Sequence, residues 1–318
     1  GAVISSGFPK NITAMFFLNE GVVLVGTSDG QFYKSKDDGK TWTKTGEMSD
    51  KAKINCITGQ NDNSGNLNII AATDKGGYVS SDEGSSWKET LKAKNESGSY
   101  RVLTYGTVNS SGYTFYGEDG TNNSFNYSSI LYTWNNVKAD VHIPGGLLAG
   151  NIYDCSASYT LRGYNNENKS AIVGLHNNIW ETFDDNLNIS VTLTLKNASG
   201  NYRYLLGTKN GFRISTDYGA TWNKTSLEGR KINCAIYYMS GSMLFAGTEQ
   251  GIYMSCDYGE NWTEIKISDV SKSIKYMFLN NSKVYFVTDA GGTYYFKIPS
   301  DYGEKEFVPV PFLPLNNS

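Results

Sequence analysis

Ser35-Lys-Asp37-Asp-Gly39-Lys-Thr41-Trp42 is the stretch on which the reading of this chain turns, because its spacing recurs three more times. It returns as Ser80-Ser-Asp82-Glu-Gly84-Ser-Ser86-Trp87, as Ser215-Thr-Asp217-Tyr-Gly219-Ala-Thr221-Trp222 and as Ser255-Cys-Asp257-Tyr-Gly259-Glu-Asn261-Trp262. Upstream of each copy an apolar run ends in Gly26-Thr27, Ala72-Thr73, Gly207-Thr208 or Gly247-Thr248. Repetition on this scale is the mark of a fold assembled from one supersecondary unit. Val22 to Val25 and Tyr204 to Leu206 read as buried strands, Gly-Thr-x-x-Gly as a turn, and Gln31 to Lys34 as a returning strand with a period of two. The eight-residue motif, hereafter the box, then closes the next hairpin. Its Ser hydroxyl and Asp carboxylate can accept turn N–H groups, its Gly can take positive φ, and its Trp is large enough to fill a gap between sheets.

The pattern S-x-D-x-G-x-T-W resembles the Asp-box of sialidase-type repeats, and the resemblance covers nearly the whole chain. It implies an all-β β-propeller of four-stranded blades. Weaker copies extend the count: Thr114 to Gly120 leads to a degenerate box at Ser124 to Trp134 with Asn126 in place of Asp; Ile172 to Asn178 leads to Thr182-Phe-Asp184-Asp-Asn186; Val284 to Gly291 leads to Ser300-Asp-Tyr-Gly303. Seven units result, or six if the fourth and fifth merge, because little chain separates the fourth box from the next buried strand. Val137 to Lys169 is long, and His142-Ile-Pro-Gly-Gly within it reads as an inserted loop. The expected division is an N-terminal strand or arm over 1–10, a propeller over 11–306, and an apolar proline-rich arm over 307–318. Either Ala2 to Ser6 or Phe307 to Pro311 would supply the outer strand of the last unit, leaving the other terminus as a surplus strand for a neighbouring copy or as an arm folded back over its own propeller.

Composition narrows the function classes. The 318 residues carry 28 Lys+Arg against 31 Asp+Glu, a formal charge of −3, which argues against a nucleic-acid binder. Aromatic residues make up 14% and charged residues 19%, too aromatic for disorder and too polar for a membrane bundle. No apolar run is long enough for a transmembrane helix. A chain that opens at Gly1 without a leader reads as processed or trimmed at its start. Twelve N-x-S/T acceptors, at Asn11, Asn95, Asn109, Asn122, Asn126, Asn168, Asn188, Asn197, Asn223, Asn261, Asn280 and Asn316, point to glycosylation outside the cell. Four cysteines, Cys56, Cys155, Cys234 and Cys256, allow two bridges but lack metal-site spacing. Cys56 and Cys234 follow the same Lys-Ile-Asn and so occupy equivalent inner positions in different units, where they read as small buried hydrophobes rather than as a pair.

A search for chemistry gives little. Resemblance to sialidases implies an arginine trio, a Tyr nucleophile activated by Glu, and an Asp acid/base; the chain has five arginines, Arg101, Arg162, Arg203, Arg213 and Arg230. Phe212-Arg213-Ile214-Ser215 has Ser where that family's Arg-Ile-Pro motif has Pro, and Arg213 reads as a solvated strand residue. Off the boxes, Glu118, Asp119, Asp140, Asp154, Glu249 and Asp289 fall mostly in turns, and no pair stands out for glycoside hydrolysis. His142 and His176 have no zinc or triad spacing, and no phosphate loop is present, so neither metal nor cofactor is expected. The boxes Ser35, Asp37, Gly39, Trp42; Ser80, Asp82, Gly84, Trp87; Ser215, Asp217, Gly219, Trp222; and Ser255, Asp257, Gly259, Trp262 are expected to be folding devices. The expected function is a non-catalytic secreted or cell-surface glycoprotein that serves as a structural or interaction subunit and polymerises through terminal strand exchange. Its partners are then its own copies, other surface proteins or glycans. The alternatives are a glycan-binding module or a sialidase-like glycoside hydrolase, and the seven-blade Asp-box plan also resembles assembly factors of photosynthetic membranes.

Overall fold

The structure is a computed structural model, and it describes residues 4–5, 7–19, 21–48, 50–61, 64–91, 94, 98, 102–109, 112–118, 124–130, 133–138, 147–149, 162–165, 170–173, 179–183, 187–197, 199, 201–238, 243–267, 272–298 and 307–309. For 4–5, 104–183 apart from Phe115, 196–197 and 307–309 the backbone alone is described. All regular structure among these residues is β-strand.

The strands follow one another as antiparallel meanders. After Ile4–Ser5 (β1), the first sheet is Ile12–Asn19 (β2), Val22–Thr27 (β3), Gln31–Ser35 (β4) and Thr43–Glu47 (β5). The second is Ile54–Asn61 (β6), Leu67–Thr73 (β7), Gly76–Ser80 (β8) and Lys88–Leu91 (β9); the third is Val102–Asn109 (β10), Gly112–Glu118 (β11), Ser124–Ile130 (β12) and Thr133–Lys138 (β13). The fourth is Leu147–Ala149 (β14), Arg162–Asn165 (β15), Ser170–Val173 (β16) and Ile179–Phe183 (β17). The fifth contains Val191–Asn197 (β18), Tyr202–Thr208 (β19), Gly211–Ser215 (β20) and Asn223–Lys224 (β21); the sixth is Ile232–Tyr238 (β22), Met243–Thr248 (β23), Gly251–Ser255 (β24) and Thr263–Ile265 (β25). The seventh contains Ile274–Asn280 (β26), Lys283–Thr288 (β27) and Thr293–Lys297 (β28), and Phe307–Pro309 (β29) closes the list. By contact, residues 6–147 with 291–293 form one compact unit, and 1–5, 148–290 and 294–318 form another.

Where burial is described, in β3, β7, β19, β23 and β27, the second strand of a sheet is buried over most of its length. Val23, Leu24 and Val25 in β3, and Met243 to Ala246 in β23, are buried on both faces, as expected of strands covered by a neighbouring sheet on each side. The fourth strands β5, β9, β21 and β25 are short and largely exposed, with Thr, Lys, Glu and Asn facing water. Charged, short edges of this kind discourage further strand pairing.

Two devices join successive first strands. A Cβ added at Gly26 would lie 2.5 Å from Ile54 Cγ2, at Gly207 2.8 Å from Ile232 Cγ2, and at Gly247 2.7 Å from Ile274 Cγ2. The Gly of each Gly-Thr pair is thus the end of a strand, not of a turn, and it makes room for the isoleucine that opens the next sheet. Cys234 lies buried under Gly247 in the same way, its Sγ 2.6 Å from the position of that absent Cβ. The second device is a bulge. The pairing register skips Thr13 in β2, Asn55 in β6 and Asn233 in β22. A bulged residue leaves the ladder and re-aims its side chain. Thr13 Oγ1 donates to the Ile54 carbonyl (2.5 Å), Asn55 Nδ2 to that of Leu103 (2.8 Å), and Asn233 Nδ2 to that of Ile274 (2.8 Å). Ser190, just before β18, does the same to Ile232 (2.6 Å).

Two expectations change, and the termini settle on one of the alternatives left open. Ser124 to Trp134 is not a box: Asn126 stands in mid-strand, opposite Tyr116 and Val137, and Trp134 lies in β13. Without Asp and Gly at the right spacing the chain stays extended there. In the fourth sheet Thr182 and Phe183 end the last strand rather than the third, and the four strands are completed by Leu147–Ala149, which follows the His142 to Gly146 stretch read as an inserted loop. Both termini, finally, pair within the chain: β1 lies on β28, with Ile4 opposite Tyr295, while β29 lies on β18. His142 to Gly146 and Ser300 to Gly303 lie outside the described residues.

The glycine–isoleucine fit predicts that Gly26→Ala lowers stability by about 1–3 kcal/mol through overpacking, since the methyl meets the branched end of Ile54. An unchanged urea midpoint would count against that fit.

Candidate functional site

Each box is one hydrogen-bonded turn, built the same way four times. Ser35, Ser80, Ser215 and Ser255 end their strands buried, and each Oγ accepts the N–H of the box glycine at 2.8–2.9 Å while donating to the box Asp at 2.7–2.8 Å. The Asp then accepts the backbone N–H of the residue four positions after it, Thr41, Ser86, Thr221 or Asn261, at 2.8–2.9 Å. The side chain of that same residue donates to the second carboxylate oxygen at 2.6–2.8 Å. Two consecutive residues take positive φ in each turn: Asp38 and Gly39, Glu83 and Gly84, Tyr218 and Gly219, Tyr258 and Gly259. The glycine accepts this region without strain, and the Ser and Asp bonds hold the residue before it there.

The box also locks onto the preceding sheet. A Cβ at Gly84 would lie 2.7 Å from Leu24 Cδ2, and at Gly259 2.3 Å from Leu205 Cδ2. Trp87 stacks on Phe32 at 4.2 Å and Trp262 on Phe212 at 4.8 Å. At the first box Phe8 plays both parts, 2.7 Å from the position of a Cβ at Gly39 and 4.8 Å from the Trp42 ring. The indole N–H of Trp42 and of Trp262 donates to the box glycine carbonyl (3.0 and 2.8 Å), whereas those of Trp87 and Trp222 are buried without a hydrogen-bond partner.

These bonds fix the charge of the box. The Thr41 hydroxyl and N–H, with Ser35, bring the Asp37 carboxyl down to about 2, and Thr221 and Ser215 do the same for Asp217. For Asp82 and Asp257 partial burial pushes upward, and the donors of Ser86 and Ser80, or of Asn261 and Ser255, outweigh it. A carboxylate solvated by several fixed donors holds its negative charge.

The residue between Asp and Gly is where the boxes differ. Glu83 reaches back to Lys34 in the sheet before it (2.8 Å), and that ammonium holds its carboxyl below the usual range. Tyr258 lies under Arg203, whose guanidinium is 5.9 Å from the ring centre; Arg203 also meets Glu260 (3.0 Å) and the Asp257 carbonyl (3.1 Å). Tyr218 is 55% exposed and tilts over the stacked pair Tyr202 and Tyr204, at 5.8 and 6.3 Å. Trp222 packs on the same cluster. The sequence offered the identities of these residues but not their convergence, since Arg203 and Tyr258 belong to different sheets.

The remaining singled-out residues scatter. Arg203 clamps the box of the sixth sheet, Arg230 donates to the Tyr253 hydroxyl (2.9 Å), and Arg213 is half-buried in β20 opposite Leu206. Arg162 lies in β15, and Arg101 falls outside the described residues. Glu249 pairs with Lys231 (3.0 Å) and Asp289 is exposed in a turn; Glu118 ends β11, while Asp119, Asp140, Asp154, His142, His176 and Cys155 lie outside the described residues. Among the described residues no cluster of His, Cys, Asp or Glu has the makings of a metal site. Cys56 and Cys234 are buried and Cys256 is exposed. Of the sequon asparagines, Asn11, Asn188, Asn223 and Asn261 are exposed and Asn280 half-buried. Asn109, Asn126 and Asn197 lie in strands, and Asn95, Asn122, Asn168 and Asn316 outside the described residues.

No protein-family model matches the chain, and no curated protein matches it. Solved structures do. YCF48 bound to D1 peptide aligns with a TM-score of 0.68 at 12% identity, over 95% of this chain and 97% of that one. Virginiamycin B lyase from Staphylococcus aureus aligns at 0.64 and 12%, over 94% and 99%. The β-propeller domain of Myceliophteria thermophila Cps50 (Swd1) aligns at 0.63 and 9%, over 94% and 100%. Identities this low speak for the fold alone, and with the antiparallel four-stranded sheets they make the chain an all-β β-propeller.

Two outcomes follow from the box geometry. Trp42→Phe and Trp262→Phe should each lose about 1 kcal/mol more than Trp87→Phe and Trp222→Phe, because only the first two indoles give up a hydrogen bond; equal losses in urea titrations would contradict this. The second concerns acid. The folded carboxyl of Asp217 lies below its unfolded value of roughly 3.9, so its contribution is present above about pH 4 and lost as pH falls toward about 2. The difference in melting temperature between wild type and Asp217→Asn should therefore be constant near neutrality and shrink between about pH 4 and pH 2. A difference independent of pH would show that the charge is not what matters.

Proposed function

We propose that this chain is a non-catalytic Asp-box β-propeller acting as a structural or interaction subunit at a cell surface or outside the cell. The observation that carries the reading is the state of the box carboxylates. Asp37, Asp82, Asp217 and Asp257 are each held by donors of their own turn, and all four are shifted toward the anion. A general acid needs a pKa near the working pH and a proton to give. The same arrangement repeated at four turns suits a folding device, because an active site is built once.

Exposed sequon asparagines on turns and on the outer strand β21 support the glycoprotein part of the reading, and the exposed Tyr218 over Tyr202 and Tyr204 offers an aromatic face to a partner. YCF48, a propeller of the same fold, binds a peptide. Aromatic faces also take sugars, which keeps glycan binding as a second reading. The sialidase-like alternative is weaker: it requires arginines free to grip a substrate carboxylate, and Arg203 is occupied by Glu260, Tyr258 and the Asp257 carbonyl.

The intact mass of the protein from its native source should exceed the sequence mass by sugar increments that map to sequons. An unmodified mass would remove the surface-glycoprotein reading. Incubated with a sialoside or another glycoside, the pure chain should give no product. Turnover abolished by replacing one carboxylate would overturn the non-catalytic assignment.

A further inference from the structure

β29 completes nothing. The seventh sheet already has four strands, because β1 pairs with β28, yet Phe307–Pro309 adds itself to β18 as the fifth strand of another sheet. Leu195 stands opposite Pro309, Lys196 opposite Val308 and Asn197 opposite Phe307, antiparallel. Every other sheet has four strands among the described residues, so β18 is the one first strand that carries a strand on each side.

We propose that the edge of β18 turned away from β19 is a strand-accepting site whose partner is the Phe307–Pro309 strand of a second copy of this chain. The inference rests on the structural-subunit reading. An open strand edge presents a row of N–H and C=O groups, and an added strand gains its affinity from main-chain bonds. Chain from Lys297 to Phe307 can extend to about 35 Å, enough to reach an edge in its own molecule or in a neighbour. The same three residue pairs form in either case, so exchange gives up no contact and local concentration decides between them. The arm's composition also limits the reaction. Within the strand Pro309 brings no N–H to one edge, while Val308 keeps its own on the other. Such a strand pairs on one side and ends the sheet, giving a head-to-tail link rather than an open-ended sheet.

The test uses the full chain with Cys155→Ser and Cys256→Ser, leaving the two buried thiols. One preparation carries Lys196→Cys and the other Val308→Cys; these residues are register partners at a spacing that a disulfide spans. Mixed, concentrated and oxidised, the two should give a disulfide-linked heterodimer that neither forms alone in comparable yield and that reduction dissolves. The double variant in one chain should close the bridge on itself when dilute and give a ladder when concentrated. A bridge that forms only within the double variant, with no heterodimer on mixing, overturns the proposal, as does the failure of any bridge to form. Sedimentation of the unaltered chain separates the two levels: oligomers without a heterodimer leave the structural-subunit reading standing and remove only the β18 link.

Discussion

A Cβ added at Gly84 would lie 2.7 Å from Leu24 Cδ2, and one at Gly259 2.3 Å from Leu205 Cδ2. This closeness between the turn of one sheet and the second strand of the sheet before it is the contact on which the rest depends. No L-residue fits there, and the backbone must also take positive φ at the same point, so only glycine meets both demands. Once the turn seats, its Trp falls onto Phe32 or Phe212 and covers the outer part of the gap, while Gly26 with Ile54, or Gly207 with Ile232, fills the inner part. Short meanders that would be marginal alone bury both faces through these contacts, as repeat architectures require.

The Ser and Asp of the box serve that contact indirectly. Holding two consecutive residues at positive φ is unfavourable for Asp38, Glu83, Tyr218 and Tyr258, and the fixed acceptors offset it. Because the bonds run from backbone N–H groups and one hydroxyl or amide, the residue between Asp and Gly is released from any structural duty. It is there that the units diverge: an ion pair to Lys34 at Glu83, a cation–π contact to Arg203 at Tyr258, and an exposed ring at Tyr218. Function on a repeated scaffold is expected at such positions, where the fold makes no demand.

The chain ends solve the problem of a repeat that has a beginning. The first box has no earlier sheet in the sequence, and Phe8 takes the place that Leu24 and Phe32 take for the second. One residue thereby meets both the box glycine and the box Trp. At the other end the seventh sheet borrows β1 for its outer strand, which frees the C-terminal strand for β18.

The sequence by itself determined the strand–turn–strand unit, the four boxes and the burial of Cys56 and Cys234, because each depends on residues within a dozen positions of one another. It carried a further signal that went unread: the polar residue after isoleucine in Ile12-Thr13, Ile54-Asn55 and Ile232-Asn233 marks the bulge that bonds to the next sheet. Where the box chemistry fades, periodicity misled, placing a turn at Asn126 in what is a continuous strand and a box at Thr182 and Phe183, which end the last strand of their sheet. Only the tertiary structure decided that Arg203 meets the box of the sixth sheet, that Tyr218 stands exposed over Tyr202 and Tyr204, and that each terminus has its own edge. The physical reason is one of range. Turns and strands are set by local dihedral preference and alternation, whereas these contacts join residues that are distant in sequence and meet only once the sheets have packed.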